Sequence, residues 1–274
     1  MKKLAITLSV ALFLITLISQ PAFAAFIDQW EYTLTYSFAS YENESGTQAG
    51  LTLSTDGNEL SWGTGGTSSI GFIDMTGTVN TNSYVDILDH LYHDNQPINA
   101  SSDTLARGSL SATLTLKGVS PASSTLASFS TVLDFLFFET SNRYGDWRDN
   151  DVFILKNPEA AAANFTYDGY DYAFSFSSGF NPILNPTLDS MDMAVGSGYR
   201  SVLDLLEDPN SDYYYDPDGP YIGWTTPEST LTYIDSTLTV VSRTTPVPEP
   251  STFAFLGLGL LGLAFVGRKL RRAN

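Results

Sequence analysis

Along most of the chain the apolar positions recur at every second residue. Glu31-Tyr32-Thr33-Leu34-Thr35-Tyr36-Ser37-Phe38 alternates, as do Leu51-Thr52-Leu53-Ser54 and Glu59-Leu60-Ser61-Trp62. A period of two is what a strand shows when one of its faces is buried. Between the last two segments, Thr55-Asp56-Gly57-Asn58 supplies the positive-φ position that a hairpin turn needs. Further strands are expected at Leu110 to Leu116, Thr131 to Glu139, Asp151 to Leu155, Tyr170 to Phe176, and Leu231 to Val241 with an interruption at Asp235. Thr, Ser, Tyr and Phe dominate these runs, and such residues suit a pleated, half-buried surface. The pattern therefore predicts an all-β fold, an antiparallel β-sandwich of jelly-roll-like kind. Helical patterning is confined to Val85 to Leu91 and Ser201 to Glu207, the second with Ser201 as its N-cap and Asp208-Pro209 as its stop. No regular internal repeat is visible.

The two ends break this pattern. Lys2 and Lys3 precede an apolar run from Leu4 to Ile18, followed by Gln20-Pro21 and the small-x-small site Ala22-Phe23-Ala24. That is the layout of a secretory signal peptide, residues 1–24, cleaved between Ala24 and Ala25 by signal peptidase after passage through the export machinery. At the other end, Val247-Pro248-Glu249-Pro250-Ser251-Thr252 leads into fourteen apolar or Gly residues, Phe253 to Val266, and then Gly267-Arg268-Lys269-Leu270-Arg271-Arg272. The stretch from Ser251 to Gly267, about 17 residues, rises roughly 25 Å as a helix, just short of a hydrocarbon core of ~30 Å. It is a marginal transmembrane helix. The cations behind it belong on the cytoplasmic side, which places everything before Val247 outside the inner membrane. Residues 25–245 remain as one domain, joined to the 246–274 segment by the extended Thr244-Thr245-Pro246-Val247-Pro248 linker.

Charge and cysteine usage narrow the possibilities. Apart from the signal and the tail, 7 cations face 29 acids, a net of −22. Such a domain does not bind nucleic acid by neutralising phosphate. Its acidity favours solubility and attracts divalent cations. The chain has no cysteine, so its stability outside the cell rests on its core and not on disulfides.

The tail resembles the PEP-CTERM sorting signal of exported Gram-negative bacterial proteins, with Pro248, Glu249 and Pro250 as the recognition motif. The resemblance implies an exosortase-like membrane protease as partner, transient membrane anchoring and a final place at the cell surface or outside it. It also implies a setting rich in exopolysaccharide, such as a biofilm matrix. Inside the domain, Leu91-Tyr92-His93-Asp94-Asn95-Gln96-Pro97-Ile98 resembles the T-H-x-N-x-P-I core of the THxN family of PEP-CTERM proteins, matching at His93, Asn95, Pro97 and Ile98, with Tyr92 in place of the threonine. Phe138-Glu139-Thr140-Ser141-Asn142, followed by Asp151-Val152-Phe153-Ile154-Leu155, resembles that family's Phe-x-Glu-Thr-x-Asn segment and the strand after it. The family implies a fold and an address without a reaction.

Several residues invite chemistry. His93 and Asn95 alternate, so in extended chain both polar heads face one way. They pin a loop, His93 on backbone and Asn95 as an Asx-turn before Pro97, or they contribute to a metal site with Asp89, His90 or Asp94. Asp208, Asn210 and Asp212, extended by Asp216 and Asp218, place oxygens at alternate positions as calcium loops do. Tyr213 stands where such a loop has its glycine, and Gly219 where it has its closing glutamate. Tyr213-Tyr214-Tyr215 with Tyr221 and Trp224 make either a sugar-stacking platform or the edge of the core. No Gly-x-Ser-x-Gly elbow, phosphate loop, His-Glu-x-x-His or thiol is present, and the only histidines are His90 and His93. Three readings follow: a non-catalytic, cell-surface or matrix protein without a cofactor; a glycan- or calcium-binding module marked by a planar aromatic row; and a secreted glycosidase, for which Glu139 and Asp151 are one carboxylate pair among many.

Overall fold

The computed structural model describes residues 26–178, 181–195, 198–215, 217 and 219–243. The signal segment, the Ala24/Ala25 site, the Pro248-Glu249-Pro250 motif with its apolar stem, and Asp216 and Asp218 lie outside them. Sixteen strands follow in order: β1 (Gln29–Asn43), β2 (Leu51–Leu53), β3 (Glu59–Trp62), β4 (Ser68–Phe72), β5 (Met75–Asn80), β6 (Ser83–Asn95), β7 (Leu105–Ser120), β8 (Ala122–Phe138), β9 (Asp151–Leu155), β10 (Ala162–Tyr167), β11 (Tyr170–Ser178), β12 (Asn181–Ile183), β13 (Asp192–Val195), β14 (Gly198–Ser201), β15 (Tyr221–Thr226) and β16 (Thr230–Ser242). Short helices α1 (Asn185–Asp189) and α2 (Val202–Glu207) lie around β13 and β14, and 3₁₀ turns occupy Trp147–Asp149 and Pro158–Ala161.

The strands form two seven-stranded antiparallel sheets. The first runs β12-β15-β9-β8-β7-β1-β5, the second β10-β11-β16-β6-β4-β3-β2, and β13-β14 is a small separate ribbon. By compactness, residues 27–165 and 172–242 form one unit, and the described part of the other is Phe26, residues 166–171 and Arg243. Within that smaller unit Thr166 Oγ1 donates to Asp171 Oδ1 at 2.8 Å and the Phe26 ring meets Tyr170 edge-on.

Inside the larger unit the alternation of the sequence decides what is buried. Trp30, Tyr32 and Leu34 of β1 are buried, and so are Leu110, Ala112, Leu114 and Leu116 of β7, with their polar neighbours turned outward. One buried cluster draws Phe38, Leu110, Phe135, Phe137, Phe153 and Trp224 from the first sheet and Leu60, Trp62, Ile70, Phe72, Leu91 and Ile234 from the second. A second cluster covers the other side of the β8–β9 region with Leu188, Met191, Met193, Leu205 and Leu206, which explains why all five residues of β9 are buried. The Asp-Gly hairpin forms as expected: Gly57 sits at φ +78°, Ser54 Oγ donates to Asp56 Oδ1 at 2.5 Å, and Leu53 pairs with Leu60. The second expected helix is α2, where Ser201 Oγ accepts from the Asp204 N–H at 3.1 Å.

The first expected helix, Val85 to Leu91, is instead the middle of β6. Ile87, His90 and Leu91 are buried at the i, i+3, i+4 spacing of a helix. That spacing comes from a bulge: Ile234 of β16 pairs with Leu91 and Ser236 with Ile87, so Asp235 alone faces three β6 residues. Asp89 takes φ +54° there, and its N–H donates to Asp235 Oδ1 at 2.7 Å. The interruption read at Asp235 is the other half of the same bulge.

Candidate functional site

Beyond the bulge β6 resumes strict alternation, which turns Leu91, His93 and Asn95 inward and leaves Tyr92 and Asp94 half-buried on the other face. Tyr92 lies across Gly71 of β4 and its hydroxyl donates to Glu59 Oε2 at 2.5 Å. A Cβ at position 71 would collide with the ring, so glycine is required by close approach.

His93 has no exposed surface. Its ring stacks on Trp62, centroids 5.8 Å apart, and meets the edge of Phe137 at 5.0 Å. Neither ring nitrogen has a hydrogen-bond partner among the described residues, and burial pushes its pKa down to about 3. The backbone-pinned histidine expected from sequence is therefore corrected: aromatic packing holds it. Asn95 is equally buried, and its Nδ2 donates to the Thr226 carbonyl of β15 at 3.1 Å, which replaces the expected Asx-turn by a tie between the two sheets. Pro97 and Ile98 continue past the strand and pack against Gly66 and Gly63, with Ile98 joining the shared core.

Opposite this strand, β8 and β9 form a hairpin whose last paired residues are Phe138 and Val152. The next residue on each side is a carboxylic acid, Glu139 and Asp151. The pair picked out as candidate glycosidase acids are thus cross-strand neighbours. The connecting loop is held by Asp149, whose carboxylate accepts the backbone N–H groups of Arg143, Tyr144 and Gly145. Glu139 Oε2 accepts from the Trp62 indole N–H at 2.9 Å. Asp151 Oδ1 accepts from the Thr140 N–H at 2.9 Å, and its Oδ2 lies 3.9 Å from His93 Nε2. That last distance is beyond hydrogen bonding.

The electrostatics of this cluster follow from burial. Burial pushes Glu139 up to about 8, aided by the charges of Glu228 and Glu44 and opposed by the Trp62 hydrogen bond. Asp151 is raised well above the usual carboxylate range by burial and then by Glu139, with the Thr140 N–H opposing. Glu228, partly exposed, is raised by burial and opposed by Asn142. With its pKa lowered to about 3, His93 is neutral at neutral pH, so it and Asp151 are not an ion pair there. Glu139 Oε1, Asp151 Oδ2, Asn95 Oδ1, Thr140 Oγ1 and Thr226 Oγ1 are all buried without a hydrogen-bond partner among the described residues. Both segments that resembled the THxN family converge here. Sequence reading missed Trp62 and Thr226, because their partners lie 77 and 131 positions away.

The other expected sites do not assemble in the same way. Among the described residues no group of three His, Asp or Glu side chains is placed to hold a metal ion. His90 faces a different part of the interior from His93, beside Tyr36. Asp208 is engaged by Arg200 at 3.0 Å and by the Asn210 N–H at 2.9 Å, while Asp212 gives its carbonyl to Arg107. Of the five aromatics read as a sugar platform, Tyr213 packs on Phe138 and Trp224 stacks on Phe153 at 3.8 Å, both buried. Tyr221 is buried as well, and Tyr215 binds the Lys156 carbonyl, leaving Tyr214 alone exposed. Tyr213, Tyr221 and Trp224 thus complete the core.

Among the described residues no helix is long and apolar enough to cross a membrane. Residues 246–272 match a family model described as the PEP-CTERM protein-sorting motif. The match implies export and processing at the membrane by an exosortase. No curated protein matches the chain.

Proposed function

We propose that this chain is an exported, exosortase-sorted protein of the cell surface or extracellular matrix whose jelly-roll-like β-sandwich does no chemistry and serves as a non-catalytic component among exopolysaccharide. One observation carries the non-catalytic reading. In the cluster richest in chemically suggestive residues, His93 and Asp151 are both buried, His93 between the rings of Trp62 and Phe137, while Glu139 is half-buried. A retaining or inverting glycosidase needs roughly 5 to 10 Å between two carboxyls that flank an accessible sugar. Here one of the two acids, Asp151, is enclosed in the core. The arrangement suits a buried polar tie between sheets, which is what the segments resembling the THxN family contribute, and we read the chain as a member on that basis.

A glycan-binding role is the second reading, favoured by exposed aromatics on the 144–147 loop and on β14: Tyr144, Trp147 and Tyr199. Arg143 lies 3.9 Å over Tyr199 and Arg148 4.0 Å over Tyr144, so the rings already carry cationic partners. The test is incubation of the exported protein with exopolysaccharide extracted from the same cells, following released reducing ends and, by calorimetry, binding. The non-catalytic reading expects no hydrolysis. Hydrolysis that Glu139→Gln abolishes overturns it, and binding lost in Trp147→Ala supports the glycan-binding reading.

A further inference from the structure

A cavity of about 690 Å³ lies within the larger unit, against residues of both sheets and of the 3₁₀ turn Pro158–Ala161. It is distinct from the His93 cluster, none of whose members lines it. Its walls are Leu34, Leu110, Leu114, Phe129, Leu155 and Phe174 and similar side chains. The volume falls within the roughly 300–1,000 Å³ typical of ligand sites. The pocket is partly open, and its largely apolar walls favour an apolar ligand over ordered water, which needs two to four polar partners.

Besides Ser130 and Thr131 of β8, the polar groups of the lining gather around the β6 bulge. His90 and Ser236 sit on the two strands that the bulge distorts, both line the cavity, and both are more than nine-tenths buried. Among the described residues His90 Nδ1 and Ser236 Oγ lack hydrogen-bond partners, although the Ile87 backbone acts on the His90 ring, and Tyr36 lines the same space with its ring 6.0 Å from that of His90. Unpaired buried polar atoms are costly, and a ligand head group would satisfy them. The wall made by the 3₁₀ turn differs: Pro158 is exposed and Ala160 and Ala161 are half-buried, so small apolar side chains lead from the surface into the cavity.

We propose that this cavity binds a long-chain apolar molecule of the fatty-alcohol class, its chain among Leu110, Leu114, Phe129 and Phe174 and its neutral head hydrogen-bonded to His90 and Ser236. A neutral head is favoured over a carboxylate for two reasons. Burial holds His90 below its ordinary pKa and hence uncharged, and the charges that act on His90 and Tyr36 are the carboxylates Asp235 and Asp74. An anionic head would meet repulsion, and the lining residues include no Lys or Arg.

The test adds a photoactivatable diazirine analogue of hexadecanol to cells exporting the full chain, irradiates, and maps labelled peptides by mass spectrometry. Labelling is expected within residues 110–114, 129–133 and 158–163. It should fall about tenfold, the factor of one lost partner, in Ser236→Ala and with the hexadecanoic acid analogue. Ala112→Phe, which fills the interior, and Ala161→Phe, which blocks the half-buried approach without burdening the core, should each abolish it. Both variants are checked for an unchanged circular dichroism spectrum, and the second keeps the test decisive if the first misfolds. Label confined to the apolar tail, label spread evenly over the surface, or label unaffected by Ala161→Phe overturns the proposal.

Discussion

The indole N–H of Trp62 reaches across from the second sheet to donate to Glu139 Oε2 at 2.9 Å, and the same indole covers the ring of His93. One side chain therefore links the two segments that sequence comparison had set apart, at a point where an acid and an imidazole are both pushed toward neutrality. The stability of the domain is consequently tied to proton occupancy at this spot.

Glu139 provides the first test. Its folded pKa is raised to about 8 from an ordinary value of 4.5, so the folded state holds a proton that the unfolded chain releases. The contribution is fully present below about pH 4.5 and is lost as pH rises toward 8, at up to ~1.4 kcal/mol per pH unit. Glu139→Gln keeps an acceptor for Trp62 and removes the titration. Melting temperatures between pH 5 and 9 should decline less in Glu139→Gln than in the parent, with the variant more stable at pH 9 by about 2–4 kcal/mol. Equal slopes would show that Glu139 is ionised in the fold.

His93 titrates in the opposite sense. Its pKa is lowered to about 3, so the unfolded chain binds the proton first and stability is lost as pH falls from 6.5 toward 3. His93→Leu should flatten this acid limb while retaining most of the packing against Trp62 and Phe137. His93→Ala should cost about 2–4 kcal/mol at pH 7 through the cavity left between those rings. Chemical denaturation at pH 4 and pH 7 separates the two effects.

Asn95 tests the tie between sheets. Asn95→Asp removes the donor to the Thr226 carbonyl and brings a carboxylate into a buried site, and should destabilise by about 3 kcal/mol or more at pH 7. Asn95→Ala should cost about 1–3 kcal/mol with little pH dependence. If the two variants unfold at the same denaturant concentration at every pH, the site is open to water.

The sorting motif is tested at residues 248–250. Proline has no backbone N–H to donate and a fixed φ, which suits a motif read by a protease, and Glu249 adds a charged handle. Replacing Pro248, Glu249 and Pro250 by alanine should leave a larger precursor in the inner-membrane fraction on immunoblots. Normal maturation of that variant would reduce the tail to a plain anchor. The mature form should begin at Ala25, which N-terminal sequencing checks.

Alternation and turn chemistry were enough to locate β1, β3, β7, β9 and β16 and the Asp56-Gly57 hairpin, because side-chain direction in a strand and positive φ in a turn are local properties. The Ser201 cap of α2 was legible for the same reason. The order of apolar and charged residues in the tail was legible too, since a sorting signal is read as a linear segment. Tertiary structure alone decided the rest. Val85 to Leu91 imitated a helix because a bulge against Asp235 shifted the buried positions, and bulges depend on the partner strand. Tyr213 and Tyr221 became core because Leu188, Met191, Met193, Leu205 and Leu206 cover β8 and β9, and Trp224 because β15 stacks it on Phe153 in the other cluster, which no local pattern announces. His93, Asn95, Glu139 and Asp151 were each visible as residues, but their neighbourhood was not. Long-range pairing of β6 with β16 and of β8 with β9 brings them together, and burial there sets their protonation, a consequence of desolvation that a linear string of residues does not contain.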